Sequence, residues 1–176
     1  MSHDLISSSV SFDSSTSSVL LVRDVAGDYR QVDADEVLQA AQQVLLGRVR
    51  GSDILASPQA VRDFLRVRLG GLEHEVFAVV HLDTQHRVID YVEMFRGTVS
   101  QTSVYPREVV RDAMKRNSAA LLLAHNHPSG STQPSRADEM LTQTLKTALS
   151  LVDVRVLDHL IAAGSDILSM AERGLM

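Results

Sequence analysis

Apolar and polar residues follow two different patterns along the chain, and the change comes close to residue 75. Before that point the pattern predicts a small β-hairpin and two helices. Turn residues between short apolar runs indicate the hairpin, while N-cap signals ahead of amphipathic stretches indicate the helices. These elements are the hairpin strands 19–22 and 29–32, a helix that begins at Asp33 with Glu36 at capping-box spacing, and a helix from Ser57-Pro58 to Gly70-Gly71.

After residue 75 short apolar runs alternate with helical stretches, which is typical of an α/β fold. Helices are predicted to begin at Pro106 and at Ser135. The run 119–124 is apolar at every position and too short for a helix, so it predicts a buried strand that delivers the following residues into a loop. The predicted strands are 75–82, 87–94, 119–124, 152–161 and 167–170.

Composition limits the domain organisation and the chemistry. The chain has 176 residues, enough for one ordinary core with a modest extension. Residues 1–18 are rich in serine and are predicted to be disordered or loosely attached, residues 19–71 form the hairpin and helical extension, and residues 72–176 form the main domain. Cysteine is absent, which excludes disulfides, thiolate metal sites and cysteine nucleophiles, so any metal must be held by histidine and carboxylate.

Charge and hydropathy bear on the partners and the location of the protein. Apolar runs fall short of the roughly 20 residues that span a bilayer, and a secretory leader is not apparent, so we expect a cytoplasmic protein without a membrane partner. The net charge is −5 and basic residues are scattered, which does not support nucleic-acid binding. Five arginines are predicted to lie on a solvated helix face, with a local basic patch as the alternative: Arg48, Arg50, Arg62, Arg66 and Arg68.

Three side chains near the end of the buried strand form a candidate metal site. His125 and His127 are two residues apart, so in an extended segment both imidazoles reach the same point. Asp138 falls in the first turn of the following helix and can fold back to join them. Three nitrogen and oxygen ligands leave one tetrahedral position for water, as expected of a catalytic zinc, which would lower the pKa of that water to roughly 7. Taken singly, each histidine could be merely polar and Asp138 could simply cap its helix with Ser135.

These residues resemble a known metalloprotease signature. His-x-His, seven residues, Ser, two residues and Asp is the pattern of the JAB/MPN (JAMM) superfamily, and the sequence His-Asn-His-Pro-Ser-Gly at 125–130 is similar to its RadC-type branch. Further stretches that resemble the branch are Arg96-Gly97-Thr98, Tyr105-Pro106-Arg107-Glu108 and Leu157-Asp158-His159. The resemblance extends at least from Glu75 to the C-terminus.

The resemblance implies an α/β fold of the JAB/MPN, cytidine-deaminase-like type, in which a mixed sheet is flanked by helices. It implies a zinc-dependent peptidase or isopeptidase that cleaves an amide bond of a peptide or protein. Glu75 would be the general acid/base and Ser135 a hydrogen-bond donor to the oxyanion, with Glu73 as a poorer candidate for the glutamate. The branch also suggests an alternative, a DNA-associated accessory protein in repair, conjugation or antirestriction that acts mainly by binding. His159, next to Asp158, is predicted to be a structural residue at a strand end, and the alternative is a role in supporting a metal ligand from behind.

Overall fold

The computed structural model describes residues 20–23, 27–50, 58–97 and 103–176, so the serine-rich segment 1–18 lies outside the described residues. The elements are β1 (Leu21–Arg23), β2 (Tyr29–Gln31), α1 (Ala34–Val49), α2 (Pro58–Leu69), β3 (Val76–Leu82), β4 (Val88–Arg96), α3 (Pro106–Lys115), β5 (Ala120–Asn126), α4 (Arg136–Ser150), β6 (Arg155–Ala163) and β7 (Asp166–Ser169). Within the described residues, every helix is too short or too polar to cross a lipid bilayer.

Backbone contacts divide the chain into two units, with the boundary between Gln39 and Ala40. In the first unit, β1 and β2 pair antiparallel as a short hairpin, as predicted. Asp33 and Glu36 exchange hydrogen bonds at the start of α1: the amide of Glu36 donates to Asp33 Oδ1 (2.8 Å), and the amide of Asp33 donates to Glu36 Oε2 (3.3 Å). The predicted capping box is therefore confirmed.

The second unit is built on a five-stranded mixed sheet in the order β4-β3-β5-β6-β7. β5 and β6 are parallel, and the other neighbouring strands are antiparallel. Parallel neighbours need a long crossover, which α4 provides between β5 and β6. This arrangement confirms the predicted α/β class with a mixed sheet and helices.

Alternation along the central strands fills two cores, one on each side of the sheet. On β3, Val76 and Val80 belong to a cluster with α2 residues such as Phe64. Phe77 and Val79 belong to a second cluster that includes residues of α3 and α4. Successive side chains of a strand point to opposite faces, so a strand covered on both faces must be apolar almost throughout. β3 and β5 are buried at every position.

The predicted strand ends were wrong at two places that matter for the site. β5 continues through His125 and Asn126, because His125 pairs with Phe77 of β3 and with Ile161 of β6. β6 begins at Arg155 rather than at residue 152, because the chain first closes α4 with Asp153 in a left-handed conformation (φ 58°).

Candidate metal centre

One cleft contains all five residues that the sequence singled out. His125, His127, Asp138, Glu75 and Ser135 line a cavity of about 610 Å³ at the ends of β3 and β5. Its volume is within the usual range of ligand-binding pockets, roughly 300–1,000 Å³. The cleft therefore has room for a substrate beside these side chains.

The topology of the sheet explains why these residues meet. β3 and β5 are antiparallel with Phe77 opposite His125, so Glu75, two residues before Phe77, comes next to the end of β5. His125 and His127 are separated by one residue, so in this extended segment at the end of β5 they point to one face, whereas Asn126 points to the other. Asp138 returns to the same place because α4 begins shortly after β5 and crosses over to β6.

The three candidate ligands face one another closely. One ligand atom from each of His125, His127 and Asp138 can be chosen such that all lie within 4.8 Å of one another. The two Nε2 atoms are 2.9 Å apart. Asp138 Oδ1 lies 3.3 Å from His125 Nε2, and Asp138 Oδ2 lies 3.5 Å from His127 Nε2. Two imidazoles and a carboxylate that converge on one point are the donor set that zinc prefers.

Hydrogen bonds turn His127 toward this point. Its Nδ1 lies 2.8 Å from the backbone oxygen of Ser131, which can only accept a hydrogen bond. Nδ1 therefore carries the proton, and in the neutral ring Nε2 presents a lone pair to the cluster. Metal-binding histidines commonly donate their second ring N–H to such an acceptor.

Protonation states at the cluster also suit a cation. Burial lowers the pKa of His125 to about 4, so this ring is neutral at pH 7. Burial alone would raise the pKa of the Asp138 carboxyl, but three interactions hold it well below its usual range: a hydrogen bond from protonated His127, the positive charge that His125 gains when it is protonated in acid, and the bonds from Ser135. The hydrogen bond to Asp138 raises the pKa of His127. The same carboxylate that favours a proton on His127 favours a divalent cation in its place, so metal binding and protonation compete there.

Ser135 has a structural role at the start of α4. Its hydroxyl accepts from the amide of Asp138 (3.1 Å) and lies 2.6 Å from Asp138 Oδ2, to which it donates. The amide of Ser135 also donates to Asp138 Oδ2 (2.7 Å). Ser135 is therefore the N-cap, as predicted, and Asp138 completes a capping box while its carboxylate faces the histidines.

The two glutamates before β3 differ in their positions. Glu75 is half-buried and lines the cleft, whereas Glu73 is exposed. The charge of Glu75 contributes to the raised pKa of His127. Among the two candidates, Glu75 is the one that shares the cleft with the three candidate ligands.

The side chain of Asn126 holds the segment that carries Glu75, a role that sequence reasoning missed. Asn126 is buried, and its Oδ1 accepts from the amide of Val76 (2.8 Å). Its Nδ2 donates to the backbone oxygens of His74 (3.0 Å) and Leu72 (3.3 Å). In the sequence, Asn126 lies between two histidines, and in an extended segment its side chain must face the opposite side from theirs. That alternation could have indicated a role for Asn126 separate from the role of the histidines.

The predicted position of His159 at a strand end was wrong, whereas its contact with His125 fits the alternative, a role in support of a candidate ligand. This residue lies in the middle of β6, fully buried, with Nε2 2.8 Å from His125 Nδ1 and Nδ1 2.6 Å from Thr142 Oγ1. Thr142 was not singled out at all. Its spacing of four residues from Asp138, which puts both on one face of α4, was the signal available in the sequence.

Most of the five arginines named above as a candidate basic patch are paired with carboxylates. Four of them make ion pairs with carboxylates: Arg50 with Asp90, Arg62 with Glu172, Arg66 with Asp63 and Arg68 with Glu93. Each pair offsets the positive charge that a phosphate backbone would need. The structure thus adds no support to the DNA-binding alternative.

Comparison with known proteins agrees with the fold and the motif. The sequence profile of the RadC-like JAB domain matches residues 55–175. A UPF0758 protein of Leptothrix cholodnii is 55% identical over 150 residues, which cover 85% of this chain and 68% of the relative. UPF0758 proteins of Acidovorax sp. and Nitrosomonas eutropha are 56% and 55% identical, over 85% and 80% of this chain and 63% and 62% of theirs. The profile match and the identity to these relatives both show that the chain belongs to the RadC-like JAB domain family.

Proposed function

We propose that the protein is a zinc-dependent hydrolase of amide bonds in peptides or proteins. The observation that carries the proposal is the convergence of His125, His127 and Asp138 within 4.8 Å in a cleft that Glu75 also lines. The wider JAB superfamily includes metalloproteases, which supports the same chemistry. Zinc held by these three residues would polarise the scissile carbonyl and lower the pKa of a bound water.

Glu75 is assigned the proton transfers. Its carboxylate would accept a proton from the attacking water and deliver it to the nitrogen of the leaving amine, so that the C–N bond breaks without forming a free amide anion. Its place in the cleft that His127 also lines suits this role, because the general base must come within hydrogen-bond reach of the water it activates.

Ser135 is assigned to the carbonyl oxygen of the substrate. Negative charge develops on that oxygen when the tetrahedral intermediate forms, and a nearby donor stabilises it. The Ser135 hydroxyl donates to Asp138 Oδ2, so it would have to rotate toward the substrate to act in this way. Asp138 keeps the hydrogen bond from the Ser135 amide during such a rotation.

A peptide-library experiment tests the proposal. Purified protein loaded with zinc is incubated with a diverse mixture of peptides, and new termini are identified by mass spectrometry. We expect cleavage by the unmodified protein, and a loss of roughly 10²–10⁴-fold in Glu75→Gln with zinc binding retained. Glu73→Gln is the matched control, because its exposed carboxylate lies two residues away, and it should cleave like the unmodified protein.

Two results would count against the assignment. Equal losses of cleavage activity in Glu75→Gln and Glu73→Gln would mean that activity depends on the overall negative charge of this segment rather than on a positioned base. Equal cleavage by Glu75→Gln and the unmodified protein would remove Glu75 from the chemistry.

A further inference from the structure

A chain of three hydrogen bonds runs from one candidate ligand to the backbone of another. His125 Nδ1 lies 2.8 Å from His159 Nε2, His159 Nδ1 lies 2.6 Å from Thr142 Oγ1, and Thr142 Oγ1 lies 2.6 Å from the backbone oxygen of Asp138. The three side chains are 2%, 0% and 1% exposed, respectively, so water does not compete for these bonds. The chain thus starts at the imidazole of one candidate ligand and ends on the main chain of another.

The acceptor at the end of this chain, the backbone oxygen of Asp138, fixes the direction of every hydrogen bond in it. The carbonyl of Asp138 can only accept, so the single hydroxyl proton of Thr142 is donated to it. The sulfur of Met170 is another acceptor, but at 3.8 Å it is a weaker one. With its proton committed, Thr142 Oγ1 must accept a hydrogen bond from His159 Nδ1–H.

The same reasoning continues to the metal-facing atom. A neutral imidazole carries one N–H, so His159 with its proton on Nδ1 has a bare Nε2 that accepts from His125 Nδ1–H. The proton of His125 is then on Nδ1, and its Nε2 presents a lone pair toward His127 and Asp138. Reversing any one bond would put the proton of His125 on Nε2, where it would block a metal ion.

We propose that Thr142 and His159 are positioning residues that fix the tautomer of His125 and thereby set the affinity of the site for zinc. The inference rests on the proposed metal site but assigns residues that touch neither metal nor substrate. The first turns of α4 thus have two tasks, since this helix supplies the ligand Asp138 and, one turn later, the hydroxyl that orients the other ligand. Partners of this kind typically change metal affinity by about 10–100-fold.

Thr142→Val is the informative variant, because a methyl group replaces the hydroxyl at nearly the same size. In this variant the Nδ1–H of His159 has no acceptor. The hydrogen bond that keeps the proton on Nδ1, and so leaves Nε2 without a proton, is therefore lost. Thr142→Ser restores the hydroxyl and should rescue the effect. Ser118→Ala is the matched control, since Ser118 is a buried hydroxyl whose Oγ lies 2.9 Å from Nδ1 of another buried histidine, His81, at the opposite end of β3.

Zinc affinity is measured by competition with a chromogenic chelator, using the full chain. We expect the dissociation constant of Thr142→Val to rise by about 10–100-fold, while Thr142→Ser and Ser118→Ala stay close to the unmodified protein. An unchanged affinity in Thr142→Val, or an equal loss in Ser118→Ala, would overturn the inference.

Histidine tautomers give a second readout that needs neither metal nor activity. Nitrogen NMR of the metal-free protein at neutral pH should find the proton of His159 on Nδ1 and the Nε2 of His125 bare. A His159 ring protonated on Nε2 would overturn the inference even if Thr142→Val did not fold. Failure of the unmodified protein to bind zinc would count against the proposed function, whereas the tautomers test the inference separately.

Discussion

The side chain of Asn126 makes three hydrogen bonds to the segment that carries Glu75, and its removal should have two separable effects. Asn126→Ala leaves the amide of Val76 and the oxygens of His74 and Leu72 without these partners. A buried hydrogen bond contributes about 1 kcal/mol, so the free energy of unfolding should fall by about 3 kcal/mol. Zinc affinity should change little, because Asn126 faces away from His125 and His127, the proposed zinc ligands.

In Asn126→Ala the rate of peptide cleavage should fall by a larger factor than the affinity for zinc. Glu75 would no longer be held in place in the cleft that His127 also lines, and a displacement of about 1 Å in a catalytic group can cost on the order of 100-fold in rate. Urea unfolding gives the stability, the peptide assay gives the rate, and hydrogen exchange of the Val76 amide reports directly on the lost bond. Ser118→Ala serves as control, since it removes a buried hydrogen bond without touching this segment.

Two patterns of results would refute this reasoning. If Asn126→Ala exchanged its Val76 amide no faster than Ser118→Ala and lost no more activity, the side chain would not be what holds Glu75. A loss of zinc binding equal to the loss of activity would also contradict it, because Asn126 would then act on the ligands.

Two further predictions concern stability. Gly70→Ala should lower the free energy of unfolding, measured in urea, by about 1–3 kcal/mol, because a Cβ there would lie 2.1 Å from the backbone oxygen of Gly164. Gly71→Ala is the control and should be nearly neutral, because open space surrounds that position. Equal effects of the two substitutions would contradict the packing argument. Burial lowers the pKa of His81 to about 4 despite Asp112 at 3.0 Å, so the unfolded chain takes up a proton below about pH 6.5 while the folded chain does not until about pH 4. The free energy of unfolding should therefore fall by up to about 3 kcal/mol as pH drops through this window, and by measurably less in His81→Gln; identical pH profiles would contradict the assignment.

Helix starts were predictable because their signals are local. Ser135, Pro106 and the pair Asp33 and Glu36 each act within one turn of the helix they begin, so the sequence alone contains the interaction. Strand ends are set by partners far along the chain. The end of β5 at Asn126 depends on β3 and β6, which no local pattern near residue 126 reveals.

The same distinction applies to the site. His125, His127 and Asp138 lie in one strand–loop–helix segment, so their spacing predicted that they could meet. Glu75 is 50 residues before His125, and resemblance, rather than spacing, suggested its role. His159 comes from a different strand, and its contact with His125 follows only from the parallel pairing of β5 and β6.

Metal content is the most direct test of the central claim. The unmodified protein and a His125→Ala, His127→Ala double variant are purified in parallel, exposed to zinc, freed of excess metal and analysed by mass spectrometry. We expect one zinc ion per chain in the unmodified protein and none in the double variant, provided that circular dichroism finds both folded. Equal zinc in the two proteins, or none in either, would contradict the metal centre.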